Sequence, residues 1–186
     1  PATGQKIGQL SLATTGEVEQ AIQAAVSALP AWAGTPPVRR ARVMRRFLQL
    51  LNDNMDELAS LISQEQGKVL DDARGEVTRG IEVVEFACGI PHLLKGEYNE
   101  NVGTRVDSWS TRQPVGVCAG ISPFNFPVMV PLWMFPVALA CGNTFILKPS
   151  EKTPSCPLRM VELAHEAGVP KDVLHVVNGD KEAVDA

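Results

Sequence analysis

Between Arg112 and Lys148 the chain carries no Asp, Glu, Lys or Arg, and turn residues divide this apolar stretch into a predicted strand, helix and second strand. An uncharged run that long has two destinations, a bilayer or the centre of a parallel sheet. Val115 to Ile121 is apolar, with β-branched Val115 and Val117, and it stops at Ser122-Pro123-Phe124-Asn125-Phe126-Pro127. A short buried strand therefore runs into a loop. Pro127 suits the first turn of a helix, where its missing N–H would have no partner anyway, and apolar residues continue to Ala140 before Cys141-Gly142-Asn143 stops the helix. Pro131 and Pro136 are expected to distort it. Asn143 to Leu147 is the second strand, and Lys148-Pro149-Ser150-Glu151 follows at its carboxyl end. The prolines, the two asparagines and the division by turns argue against a membrane span.

A further helix and strand follow. Thr153-Pro154-Ser155 is expected to cap a helix with apolar positions Leu158, Val161, Leu163 and Ala164, which ends at Gly168-Val169-Pro170. A third strand covers Val173 to Val177 and ends at Asn178-Gly179-Asp180. The order β-α-β-α-β is one mononucleotide-binding half of an open, doubly wound parallel sheet. Ligands of such sheets bind beyond the carboxyl ends of the strands, here residues 122–125, 148–151 and 179–180. No G-x-G-x-x-G follows the first strand, so the fold alone points to a nucleotide and says no more.

Upstream, the period of the apolar residues is helical. Thr14 and Glu17 make a capping box ahead of the stripe Val18, Ile22, Ala25, Val26 and Leu29, which reaches Pro30. After Pro36-Pro37 comes the stripe Val43, Met44, Phe47, Leu48 and Leu51. Asn54 with Glu57 is expected to cap a third helix carrying Leu58, Leu61 and Ile62 until Gly67, and a fourth runs from about Leu70 to Cys88. From Tyr98 to Gln113 the pattern turns polar and β-rich, with Val102, Val106 and Trp109 among Arg105, Asp107 and Arg112. The predicted fold class is α/β, a helical amino-terminal segment followed by the first half of a doubly wound sheet.

Composition narrows the partners. With 45% hydrophobic residues in 186, the chain can bury one domain-sized core. A net charge of −4 and a pI of 5.4 give no general attraction to nucleic acid or anionic lipid, which leaves a small-molecule ligand as the expectation. The run Arg39-Arg40-Ala41-Arg42-Val43-Met44-Arg45-Arg46 shares its helix with an apolar stripe and has no interleaved aromatics for base stacking, so it reads as a solvated face paired with acidic neighbours. Cys88, Cys118, Cys141 and Cys156 show no C-x-x-C and suit a reducing compartment, cytoplasm by default or a mitochondrial matrix in a eukaryote. Cys156 lies near a helix start, where the dipole can lower a thiol pKa and make it reactive, whereas the other three read as small core residues. His92, His165 and His175 share no metal-ligand spacing. No signal peptide is read, and Pro1 in place of Met points to a start set by cloning, processing or proteolysis.

The run ISPFNFPVMVPLWMFPVALACGNTFILKPSEKTP, residues 121–154, resembles the aldehyde dehydrogenase superfamily, and within it the CoA-acylating methylmalonate-semialdehyde dehydrogenases. Pro1-Ala2-Thr3-Gly4, Pro30-Ala31-Trp32, Glu65-Gln66-Gly67-Lys68 and the stretch Arg79 to Ala87 agree with it, and Phe124, Leu132-Trp133-Met134-Phe135-Pro136 and Arg79-Gly80-Ile81-Glu82 point to the subgroup. The resemblance implies oxidation of an aldehyde through a thiohemiacetal, with NAD as hydride acceptor and CoA releasing the acyl group from a homo-oligomeric enzyme. Asn125 then matches the oxyanion-hole asparagine, Lys148 and Glu151 the residues that hold the adenosine ribose, and Ser122, Phe124 and Lys152 positions lining or adjoining the cofactor groove. Glu151 also disfavours the 2′-phosphate of NADP. Arg79 matches a helix bordering the substrate channel, where its fork would pair with the carboxylate of a malonate-semialdehyde-type substrate. Plainer readings stand beside each: a helix cap for Asn125, core packing for Phe124, a surface ion pair for Lys148 and Glu151, and pairing with Glu76 or Glu82 for Arg79.

The same resemblance divides the chain into a helical part of the cofactor-binding domain (1–97), an extended excursion used in oligomerisation (98–113) and the first half of the NAD-binding sheet (114–186). The family's nucleophilic Cys and general-base Glu lie downstream of these residues. The chain therefore reads as an amino-terminal fragment, inactive alone, and the alternative is a non-catalytic nucleotide-binding or assembly module.

Overall fold

The computed structural model describes residues 4–186, so the Pro1-Ala2-Thr3 part of the resemblance lies outside the described residues. Helix α1 covers Thr15–Ala33 behind the predicted capping box: Glu17 N–H donates to the Thr14 hydroxyl at 3.4 Å while the Glu17 carboxylate accepts from Thr14 N–H at 2.8 Å. Pro30 does not end this helix. The chain continues to Ala33 because Trp32, 5% exposed, is anchored in the core with its indole N–H on Leu139 O at 3.0 Å.

Helices α2 (Pro37–Asp53), α3 (Met55–Gln66) and α4 (Leu70–Cys88) bury the predicted stripes, and a short α5 (Ile90–Leu93) follows. The Asn54 cap does not form, since its amide donates back to Leu50 O at 2.8 Å rather than accepting from α3. Gly67 closes α3 with a φ of 88°, a left-handed turn that glycine adopts without a Cβ penalty. Strands β1 (Tyr98–Gly103) and β2 (Val106–Trp109) pair antiparallel as a hairpin whose strand residues are all exposed.

Strands β3 (Val117–Ile121), β4 (Thr144–Lys148) and β5 (Leu174–Val176) form a parallel sheet in sequence order, joined by α6 (Met129–Ala140) and α7 (Ser155–Glu166), with α8 (Lys181–Asp185) after β5. Helix α6 begins two residues later than Pro127 suggests and stays continuous across Pro131 and Pro136. Alternation along β4 sorts the core: Phe145 and Leu147 join the large cluster with Phe47, Leu132 and Phe135, whereas Ile146 faces Val18, Ala25, Val177 and Ala183 beneath α1. The sheet is thus covered on both faces, as a parallel sheet requires. No helix among the described residues is long and apolar enough to cross a membrane.

Four arginines of the run, Arg39, Arg42, Arg45 and Arg46, are exposed as the sequence suggests, but Arg40 is buried and the expected acidic pairing does not form. Arg40 is 3% exposed and donates to Ala140 O at 3.0 Å, to Ala33 O at 3.2 Å, and to Trp32 O and Thr35 O, gathering the carboxyl ends of α6 and α1. Arg46 donates to Ala167 O at 2.7 Å beyond the end of α7. Orphan carbonyls at helix ends attract cations, and this attraction outweighed any acidic partner. Among the described residues, none of the five arginines of the run forms an ion pair. Gly142 makes room for Arg40: its φ is 97°, and a Cβ there would meet Arg40 Cζ at 3.1 Å.

Candidate functional site at the carboxyl edge of the sheet

Two turns lie side by side where β3 and β4 end. Ser122 N–H donates to Lys148 O at 3.0 Å, and the Thr153 hydroxyl donates to Phe124 O at 3.3 Å. These bonds bring Ser122, Phe124 and Asn125 together with Lys148, Glu151 and Lys152. Lys148 reaches Glu151 at 3.4 Å, so the ion pair anticipated for these two exists. It leaves the Glu151 side chain 38% exposed. Its own backbone N–H, and then the Lys148 ammonium, hold the Glu151 carboxyl below the usual carboxylate range, so it is an anion at neutral pH. The Ser122 hydroxyl is buried without a hydrogen-bond partner among the described residues. Phe124 is 49% exposed, which rules out pure core packing, and Lys152 lies 5.3 Å from its ring centroid.

Asn125 does not cap α6. The N-cap position falls on Val128, with no side-chain cap bond, and the Asn125 amide makes no hydrogen bond among the described residues. Only its backbone carbonyl is held, by Lys68 Nζ at 3.0 Å.

The residue that does close α6 was not foreseen. Glu76 of α4 is fully buried, accepts from Val128 N–H at 2.9 Å and Met129 N–H at 3.3 Å through Oε1, and pairs with Lys68 at 2.6 Å through Oε2. A carboxylate at a helix N-terminus satisfies orphan donors and meets the positive end of the dipole. The signal was present in the spacing, because Glu76 falls on the buried stripe Ala73, Val77, Gly80 and Ile81 of α4. A charge in an apolar stripe requires a partner.

Arg79 stands one turn further along α4, exposed, with Nε on its own helix at Gly75 O, 3.2 Å away. It pairs with neither Glu76, which is engaged elsewhere, nor Glu82. Trp133 Nε1–H donates to Arg79 O at 3.2 Å, but no bond links Arg79 to the Asn125 loop.

Cys156 corrects the expectation of a reactive thiol. It is fully buried and donates to Leu58 O at 3.4 Å, and burial, reinforced by the carboxylates of Glu76, Glu65 and Glu57, pushes its pKa well up. Burial also raises the thiols of Cys88, Cys118 and Cys141. The cap of α7 differs too: Glu65 Oε2 and Oε1 accept from Ser155 N–H at 3.0 Å and its hydroxyl at 2.6 Å, in place of a Thr153 cap. Beside this edge an apolar groove of about 380 Å³ runs along β3, lined by Val18, Ile22, Ile121, Ile146 and Val177 and reaching Lys148. At the third strand end, Asp180 caps α8 by accepting from Glu182 N–H at 3.1 Å.

The family model for the aldehyde dehydrogenase family matches residues 1–186. Among curated relatives, the malonate-semialdehyde dehydrogenase of Pseudomonas aeruginosa is 60% identical over all of this chain and 37% of its own length. The acylating mitochondrial methylmalonate-semialdehyde dehydrogenase of Arabidopsis thaliana is 53% identical over all of this chain and 31% of its own. The chain thus spans about a third of the length of these relatives. Among solved structures, the methylmalonate-semialdehyde dehydrogenase of Oceanimonas doudoroffii superposes with a TM-score of 0.96 at 61% identity, over 98% of this chain and 38% of that one. A Sinorhizobium meliloti protein assigned to the same activity and solved with NAD gives a TM-score of 0.97 at 57% identity, over 100% of this chain and 38% of that one. An NADP-dependent enzyme of E. coli gives 0.94 at 36% identity, over 98% of this chain and 38% of that one.

Proposed function

The chain belongs to the aldehyde dehydrogenase family, and from that premise we propose that it is the amino-terminal part of an NAD-dependent, CoA-acylating dehydrogenase of malonate or methylmalonate semialdehyde. The observation that carries the reading is the pairing of two turns at the carboxyl edge, one with an unpartnered amide and the other with an ionised carboxylate. The residues fit a dinucleotide: Glu151 is an anionic acceptor suited to ribose hydroxyls, Lys148 is a donor beside it, and the buried Ser122 hydroxyl lacks a partner. Bound NAD would supply the two-electron acceptor. Phe124 and Lys152 would flank the same groove.

Asn125 donates its amide to the aldehyde oxygen while a thiolate adds to the carbon, and so offsets the developing negative charge. Burial raises the pKa of all four thiols here, which disfavours each of them as the nucleophile, so the chain alone is expected to be inactive. CoA then takes the acyl group, giving propionyl-CoA or acetyl-CoA after decarboxylation. The exposed β1–β2 hairpin fits the proposed oligomerisation segment of residues 98–113 between the helical part (1–97) and the sheet part (114–186). Cytoplasm, or a mitochondrial matrix as in the name of the Arabidopsis relative, fits the reduced thiols.

Since a 36% identical relative of the same fold is NADP-dependent, local chemistry selects the cofactor. Lys148→Ala in the intact protein is expected to weaken NAD binding by about 1.5–3 kcal/mol, roughly ten- to hundredfold, with aldehyde affinity unchanged. Glu151→Ala should let NADP bind better relative to NAD. Calorimetric titration with both nucleotides tests this, and unaltered NAD affinity in the lysine variant would refute the ribose assignment.

For Arg79, freedom from Glu76 and Glu82 supports recognition of the substrate carboxylate. Arg79→Ala should lower the ratio of kcat/KM for methylmalonate semialdehyde over propanal by roughly ten- to hundredfold, the worth of about 1.5–3 kcal/mol for a hydrogen bond to a charged group. A ratio that does not move returns Arg79 to the helix surface.

A further inference from the structure

We propose that Lys68 is a positioning residue for Asn125: its ammonium fixes the backbone of the loop that carries the oxyanion-binding amide, and it acts on the chemical step rather than on binding. The inference rests on Asn125 being that donor. Gly67, with a φ of 88°, turns the chain out of α3 and delivers Lys68 to the start of α6. The Lys68 side chain is only 15% exposed. Its Nζ donates to Glu76 Oε2 at 2.6 Å and to Asn125 O at 3.0 Å, and it lies 4.3 Å from the Phe126 ring centroid. Carboxylate, carbonyl and aromatic face therefore surround the ammonium.

This clamp matters because the Asn125 amide has no partner of its own. The backbone fixes where that amide can reach, and among the described residues the carbonyl of Asn125 is held by Lys68 alone. On the far side of Phe126-Pro127, Glu76 grips Val128 and Met129 through the oxygen it does not share with Lys68. One ion pair thus holds the loop at both ends. The remaining ties, Ser122 to Lys148 and Thr153 to Phe124, hold only residues that precede Asn125. A catalytic donor displaced by about 1 Å loses up to roughly a hundredfold in rate.

The test measures single-turnover NADH formation, aldehyde KM and NAD affinity in the intact protein. Asn125→Ala should slow the single turnover by about a hundredfold or more. Lys68→Met should slow it by about ten- to hundredfold while KM and NAD affinity stay within roughly twofold. Lys68→Arg should recover part of the loss. The double variant Lys68→Met/Asn125→Ala should be no slower than Asn125→Ala, since a clamp has nothing to position once the amide is gone. Because Lys68→Met strands a buried carboxylate, Lys68→Met/Glu76→Gln is measured beside it. The glutamine oxygen still accepts from Val128 and Met129, and the rate loss should persist. Losses that multiply in the Asn125 double variant, or a full rate in Lys68→Met/Glu76→Gln, would overturn the role of Lys68 and leave Asn125 in place. A normal rate in Asn125→Ala would overturn both.

Discussion

Glu76→Ala is expected to destabilise the protein by about 3–5 kcal/mol, the usual cost of breaking a buried ion pair by removing one partner. Both carboxylate oxygens are occupied in a fully buried position, so the loss falls in three places at once. The Lys68 ammonium keeps only a carbonyl and a ring face, and the N–H groups of Val128 and Met129 become orphans at the first turn of α6. That helix is apolar on every side and packs chiefly against α4, so a frayed start exposes apolar surface as well. Glu76→Gln should lose less, because an amide oxygen still accepts. Urea unfolding gives the global number, and hydrogen exchange at Val128 and Met129 locates it. An unchanged midpoint with unchanged exchange at those two amides would mean that Glu76 is not the cap.

Asn125→Ala should act on rate and leave stability alone. Its amide makes no bond among the described residues, so folding loses little when it goes. An oxyanion donor is worth about 2.7–4 kcal/mol in the transition state, so the intact protein should slow by roughly a hundred- to a thousandfold with aldehyde KM little changed. A KM effect with the turnover preserved would make Asn125 a binding residue and not a donor to the oxyanion.

What the sequence revealed, and what it hid, divides along the distance between partners. The capping box of Thr14 and Glu17, the stripes of α1 to α3, and the strand ends at Ser122 and Lys148 are local patterns, and a window of a dozen residues contains them. The caps of α6 and α7 come from Glu76 and Glu65, about 50 and 90 residues away in sequence. The local candidates, Asn125 for α6 and Thr153 for α7, do not form caps, and neither does Asn54 for α3. Arg40 was misjudged for the same reason. Five arginines in eight positions look like a solvated face until the helix ends that need a cation are packed around one of them. Ser122, Phe124 and Asn125, and Lys148, Glu151 and Lys152, stand out in the sequence because they fall in two short motifs, whereas Arg79 lies apart from both. Within Glu65-Gln66-Gly67-Lys68 nothing local singles out Lys68, since its partner is a carbonyl 57 residues downstream.

Arg40 also sets an order of events during synthesis. Its main acceptor, Ala140 O, follows it by 100 residues, and Leu139 O, which receives the Trp32 indole, follows that residue by 107. At about 5–20 residues per second, the guanidinium leaves the ribosome's catalytic centre roughly 5–20 s before the carbonyl that will bury it exists. The bonds from Arg40 to Trp32, Ala33 and Thr35 can form as soon as α2 is made, but the Ala140 and Leu139 carbonyls that complete the burial of Arg40 and Trp32 arrive only with α6. The amino-terminal half of the chain therefore spends that interval with a ring and a cation still awaiting part of their cover, and a slower codon run across residues 100–140 would lengthen it.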